Sequence, residues 1–244
     1  MNGLDQYCRT FFGYGAWQCK IWFVGMEEGG ADSSSLHSIR ERLNLWHQNG
    51  CPTLEDAAQF YPKLDYARPW FAQPPENQAT WRQLIRVLEF SKNIQPTEEQ
   101  IGDIQKSKWG RPDSEAAILE LFSLPSPTAT EWRYGQFAND LFYLKSRELY
   151  MHYLYQQRAD YLRGRILEHK PCAVFFYGWG KGQIYKRLWE GIVRQSFFHT
   201  ELQNLERCNV GATQCFHMRH PVDRKDGADE YFSRVGRLLS QLNC

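Results

Sequence analysis

Two short, wholly apolar runs narrow most sharply what this chain can fold into: Ile21-Trp22-Phe23-Val24 and Ala173-Val174-Phe175-Phe176-Tyr177, closed by Gly25 and Gly178. Neither alternates apolar with polar residues, so neither suits a sheet with one wet face; strands of a parallel sheet covered by helices on both sides read this way. Helical segments surround them. Ser33-Ser34-Ser35 offers an N-cap after Gly29-Gly30, and Thr53-Leu54-Glu55-Asp56 has the spacing of a helix start resembling a capping box. Helices are also predicted over 80–90 and 97–106, one or two long ones over 137–169, which Pro171 halts, and one over 228–242, with Tyr231, Phe232, Val235, Leu238 and Leu239 on one face. Residues 116–122 fit a helix or a strand by periodicity, and the Leu124-Pro125-Ser126-Pro127 that follows suits a strand and loop; 208–216 read as a final strand, and 62–75 as a Pro-rich aromatic loop. The expected fold is α/β, a three-layer αβα sandwich around a mostly parallel sheet, in one domain over 1–244. Sites in such a fold lie at the carboxyl ends of the strands.

With 244 residues, 42% of them hydrophobic, the chain can bury one substantial core. No stretch approaches the roughly 18 apolar residues of a membrane span, and the N-terminus lacks a basic region followed by an apolar run. A soluble, cytoplasmic protein with no membrane partner is expected. The seven cysteines are odd in number, scattered and free of any C-x-x-C pair, so neither a disulfide framework nor a zinc or iron–sulfur site is expected. No other metal or cofactor is implied. The net charge of +1 hides an asymmetry: residues 145–244 carry 16 Lys+Arg against 10 Asp+Glu, the preceding residues 13 against 18. A basic C-terminal part suits a phosphate backbone, or simply a solvated helix surface. Nine Trp and thirteen Tyr exceed what a core requires and leave rings for stacking on bases or sugars. Gly178-Trp179-Gly180-Lys181-Gly182 lacks the spacing of a phosphate-binding P-loop.

Two strand ends hold unusual polar residues: Gly25-Met26-Glu27-Glu28-Gly29 after the first run, and His217-Met218-Arg219-His220-Pro221 after the last. Adjacent carboxylates at a strand end repel, so one takes a raised pKa or a specific partner. Singly, each has a plain alternative, a solvated loop pair and a structural histidine. Together, and in that order, they resemble the uracil-DNA glycosylase superfamily, whose first motif has the form G-x-[DEN]-P-[YG] and whose second is H-P-S after the last strand. Residues 171–182 look like its intervening strand-then-glycine segment, and Thr80-Trp81-Arg82 is similar to a helix start in its divergent members. The resemblance places Glu27 at the family's Asp or Asn and His220-Pro221 on its His-Pro, with His217 as the backup histidine. It departs at Glu28, in place of proline, and at Val222, in place of serine.

What the resemblance implies is a monofunctional DNA glycosylase that flips a pyrimidine out of DNA and leaves an abasic site, with Glu27 orienting water and His220 donating to the base O2. Gly25, Met26, Glu28, Gly29, Glu120 and Phe122 would form the base pocket. Arg219, Arg224, Lys225 and Lys181 would contact DNA, with a plain surface loop as the alternative for the first three. Glu27 and His220 are expected on opposite walls of one cleft with a basic rim. Gly29 stands where the strict uracil enzymes have a tyrosine that excludes C5 substituents, and Glu120, at a strand end, would accept from a cytosine N4 amino group unless it is merely exposed or capping. The pair is similar to the branch of the superfamily that removes glucosylated 5-hydroxymethylcytosine from phage DNA. Two rival readings stand beside it: a uracil or mismatch repair glycosylase, and a non-catalytic DNA-binding member of the same fold.

Overall fold

The computed structural model describes residues 2–29, 35–128, 130–178, 183–222 and 227–242. Its framework is an eight-stranded mixed sheet. Strands β1 Gly13–Tyr14, β2 Ile21–Gly25, β3 Leu54–Glu55, β4 Ala116–Glu120, β5 Ala173–Tyr177, β6 Phe198–His199, β7 Leu205–Val210 and β8 Thr213–Met218 stand in the order β3-β1-β4-β2-β5-β8-β7-β6. The middle four, β4-β2-β5-β8, run parallel, while β1 joins β4, and β7 and β6 extend β8, antiparallel. Every residue of β2, β4 and β5 is buried, as their unbroken apolar runs require of strands covered on both faces.

Helices α1 Asn2–Thr10, α2 Leu36–Gln48, α3 Ala57–Phe60, α4 Ala79–Ser91, α5 Glu98–Ser107, α6 Arg147–His169, α7 Ile184–Val193 and α8 Ala228–Ser240 supply that cover. Helix α8 lies so close to α4 that a Cβ at Gly236 would fall 2.5 Å from the Val87 carbonyl oxygen. Caps set several helix starts: Ser35 on α2, Thr97 with Gln100 as a full capping box on α5, and Ser146 on α6. One contiguous apolar cluster runs from Leu4 to Leu239. No described helix is long and apolar enough to cross a membrane.

Three expectations are corrected, and two features were not anticipated. Leu54–Glu55 is a short strand paired with β1, and the helix beyond it starts later, with the Asp56 carboxylate accepting from the Ala58 amide. Residues 137–146 are not helical in the α sense; two 3₁₀ turns, Tyr134–Phe137 and Phe142–Lys145, precede the Ser146 cap. The single strand expected over 208–216 is a hairpin of β7 and β8, turned at Gly211 with φ +60°. Helix α1 and strand β1 have no counterpart in the sequence reading. Cys172 is disulfide-bonded, while Cys8, Cys19, Cys51, Cys208 and Cys215 are free, so there is no disulfide framework among the described residues.

The path through the sheet positions the site. From β2 the chain next reaches the central sheet at β4, on one side, and from β5 it reaches β8, on the other. Loops leaving neighbouring β2 and β5 therefore part, which opens a crevice at their carboxyl ends.

Candidate functional site

Each of the four parallel strands delivers a polar side chain to that crevice. Glu27 and Glu28 follow β2, Glu120 ends β4, Tyr177 ends β5, and His220 lies just past β8. All five line one cavity of about 530 Å³, together with Tyr14, Gly29, Tyr61, Trp70 and Trp81.

The three carboxyl groups meet different surroundings. Glu28 is fully engaged: Arg42 from α2 donates to both its oxygens, at 2.8 and 2.9 Å, and the Tyr14 and Tyr61 hydroxyls donate at 3.2 and 2.7 Å. Arg42 is completely buried and also reaches the Tyr14 and Tyr66 hydroxyls, at 2.9 and 3.1 Å. Glu27 receives Arg147, the first residue of α6, on Oε1 alone, through Nη2 and through Nε at 3.2 Å. Its Oε2 is buried and has no hydrogen-bond partner among the described residues. Burial pushes the Glu27 pKa above the usual carboxylate range, against the opposing pull of Arg147.

Glu120 is the most strongly perturbed. Burial first, then the negative charges of Glu28 and Glu27, hold its pKa well above the ordinary value, and the Tyr177 hydroxyl pulls the other way by less. Its Oε2 also has no partner among the described residues. Gly25, opposite Glu120 in the ladder, makes this packing possible: a Cβ there would fall 2.4 Å from the Tyr177 hydroxyl and 2.5 Å from Glu120 Oε2. Beneath it, the buried Arg158 of α6 donates to the carbonyls of Leu121, Glu120, Cys8 and Phe11 and so pins the end of β4.

On the far side of β5, His220 Nδ1 accepts the Val222 amide at 3.3 Å, which leaves Nε2 as the donor of the neutral ring. The ring meets Tyr177 edge-on at 5.6 Å. His217 is placed elsewhere: it lies within β8, opposite Phe176, fully enclosed, with Nδ1 3.1 Å from Glu206 and Nε2 3.1 Å from the Gly178 carbonyl. It does not line the cavity, whereas His220 does.

Other expected members are also displaced. Phe122 is buried against Tyr150, ring centroids 5.5 Å apart, and Met26 is core; neither lines the cavity. Arg219 is turned inward, its guanidinium 5.1 Å over the Tyr231 ring, rather than outward to phosphate. Lys181, Arg224 and Lys225 lie outside the described residues. Among the described lining residues Arg68 is the sole Lys or Arg, against Glu27, Glu28, Glu76 and Glu120. The cavity is acidic, and no basic rim is found in this part of it. The opening at Gly29 is as expected, since a Cβ there would meet nothing within 4 Å.

Sequence reading missed Tyr177, Arg147, Arg42 and the aromatic wall of Tyr61, Trp70 and Trp81. Tyr177 was open to the rule that found Glu27, as the last residue of a buried strand; the others carry no local signal. Among the described residues, one trio, His37, Glu41 and Asp65, brings three potential metal-ligand atoms within 4.8 Å of one another, on an exposed surface where acidic groups commonly gather without an ion. Comparison of the chain with protein-family models and with curated proteins finds no match.

Proposed function

We propose that this cleft is the active site of a DNA glycosylase with the sandwich fold of the uracil-DNA glycosylase superfamily, which hydrolyses the bond between a flipped pyrimidine and its deoxyribose. One observation carries the reading: Glu27, with one bare carboxylate oxygen, and His220 share a cavity at the ends of β2 and β8. Cleavage of the C1′–N1 bond leaves positive charge on the sugar and negative charge on the base. Glu27 stabilises the first and takes a proton from the water that adds to C1′. His220 donates to the base O2 and stabilises the second. Both interactions strengthen toward the transition state, which is what accelerates the reaction. Extruding the base costs a few kcal/mol, which stacking against cavity aromatics offsets.

Glu120 reads the base. As a neutral acid it donates its O–H to cytosine N3 and accepts from the N4 amino group. This alters one expectation. An ionised Glu120 would face uracil O4 with a second acceptor, but a neutral one matches uracil too, by donating to O4 and accepting from N3–H. Preference for a C5-modified cytosine then rests on contacts to the substituent, which the open side at Gly29 admits. A binding-only role is favoured by the Arg147 ion pair, which offsets the Glu27 charge.

Duplexes carrying one uracil, one 5-hydroxymethylcytosine or one glucosylated 5-hydroxymethylcytosine, treated with protein and then alkali, separate these readings. Cleavage at the modified cytosine is expected. Cleavage at uracil alone would make it a repair enzyme, and retained DNA binding with no cleavage a binding protein.

A further inference from the structure

Burial favours the neutral form of Glu27, while the chemistry proposed for it needs the ionised one. Four neighbours share its cavity as titratable groups: Glu28, Glu120 from β4, Tyr177 from β5 and His220 beyond β8. Of the nearby arginines, Arg42 is committed to Glu28 and Arg68 to Glu76. Arg147 meets Glu27, and it does so on one oxygen. Its Nη2 and Nε both reach Oε1, while Oε2 has no partner among the described residues. The Arg42–Glu28 pair is built the other way, with one guanidinium nitrogen on each oxygen, the fork that serves the pair itself.

A stiff element delivers Arg147. Ser146 caps α6 immediately before it, and the Tyr150 hydroxyl, within the same turn, accepts the Leu124 amide at 3.2 Å. Three turns further on, Arg158 donates to the Glu120 carbonyl at 3.1 Å, so the helix is tied to the end of β4 along half its length. Tyr185 of α7 lies against the Arg147 guanidinium. The two side chains of the pair are only 11% and 12% exposed, so water screens their attraction little.

We propose that Arg147 is a positioning residue for Glu27: by holding Oε1 from the start of α6, it keeps the carboxylate ionised in the cavity and commits Oε2 to the reaction. The inference rests on the glycosylase reading for what Oε2 does there. Taking a proton from the water that adds to C1′ requires the ionised form, and an opposite charge at ion-pair distance lowers a carboxyl pKa by about 1–3 pH units, which opposes the effect of burial. A pair closed on both oxygens would supply the same charge and leave no oxygen to accept that proton.

The test follows the Glu27 carboxyl itself, by carbon NMR of the full chain labelled in glutamate, with Glu27→Gln to identify its resonance. Single-turnover release from a duplex carrying glucosylated 5-hydroxymethylcytosine is measured beside it across pH. Arg147→Met removes the charge and keeps much of the bulk, so the Glu27 titration midpoint should rise by at least about one pH unit. The rising limb of the rate against pH should move upward with it, because release needs the ionised form. Arg147→Lys keeps a cation without the fork: the midpoint should stay within about half a pH unit of wild type, while the rate above it falls at least about tenfold. A merely structural role would lower stability and leave both the midpoint and the limb in place. An unmoved midpoint in Arg147→Met overturns the proposal, as does an Arg147→Lys protein that releases base as fast as wild type, a result that holds even if Arg147→Met does not fold. If the midpoint moves as expected and wild type releases no base from any duplex, the glycosylase reading fails and the hold of Arg147 on Glu27 stands.

Discussion

Glu27 and Glu28 leave the same strand side by side, and an arginine meets each, yet the protein uses them differently. Around Glu28 the contacts close: a fully buried arginine and two tyrosine hydroxyls occupy its oxygens, which ties α2 and the Tyr61 turn to the end of β2. Around Glu27 they stop halfway, with Arg147 on one oxygen and none of the described residues on the other. Leaving a buried acceptor unmade costs about 1–3 kcal/mol, and under the proposed function this oxygen is the one that meets the sugar and the water. The two histidines repeat the contrast. His217 is enclosed with both ring nitrogens near acceptors, whereas His220 lines the cavity with Nδ1 occupied and Nε2 as its donor. Under the proposed function, Glu28 and His217 build the wall, and Glu27 and His220 do the chemistry.

Four variants sharpen this division. The largest effect is expected at the structural member. Arg42→Ala leaves Glu28 buried without its counter-charge and should lower stability by about 3–5 kcal/mol, read from the denaturant midpoint. A loss under about 1 kcal/mol, the range of an exposed pair, would mean that the Glu28 cage is not structural. Next comes His220→Ala, expected to slow base release by on the order of 10²–10³ while the denaturant midpoint barely moves, as for one lost electrostatic donor. Should His217→Ala lower the rate without lowering stability, the assignment of the two histidines would be reversed.

The smallest effect, and the one tied to pH, belongs to Glu120. Its folded pKa is raised by burial and by Glu28 and Glu27, so the folded chain holds this proton where the unfolded chain has released it. Between the unfolded value of about 4.3 and its folded value, stability falls as pH rises, by up to about 1.4 kcal/mol per unit. Glu120→Gln removes this dependence. The variant and wild type should melt together near pH 4 or below, and the variant should gain steadily as the pH rises. Parallel melting curves across that range would show Glu120 ionised in the folded protein. The same variant should keep base release within about tenfold, since a neutral carboxyl and an amide both donate and accept.

How much of this was legible in the sequence depended on whether the signal was local. The β2 and β5 runs announce themselves because burial on both faces removes every polar residue, and the strand-end rule then leads to Glu27, Glu28 and His220. The β7–β8 hairpin was hidden: β7 is half exposed at Arg207 and Asn209, so it never looks like a core strand, although Gly211 marks its turn. Arg42 and Arg158 read as ordinary helix-surface arginines. Their burial depends on partners that only the folded chain brings together, such as the carbonyls of Cys8 and Phe11 for Arg158. The segment 66–81 was legible as a loop. Its role as a wall was not, because the residue that fixes it, Gln105, belongs to a separate helix.

The central claim is that Glu27 acts on the sugar as the base departs, and single-turnover base release by wild type and Glu27→Gln tests it most directly. The amide keeps the shape and loses the charge and the basicity. Wild type should release the modified cytosine, and Glu27→Gln should release at least about 10³-fold less at unchanged DNA affinity, because the lost interaction belongs to the transition state and not to binding. Equal release by the two proteins would contradict the account.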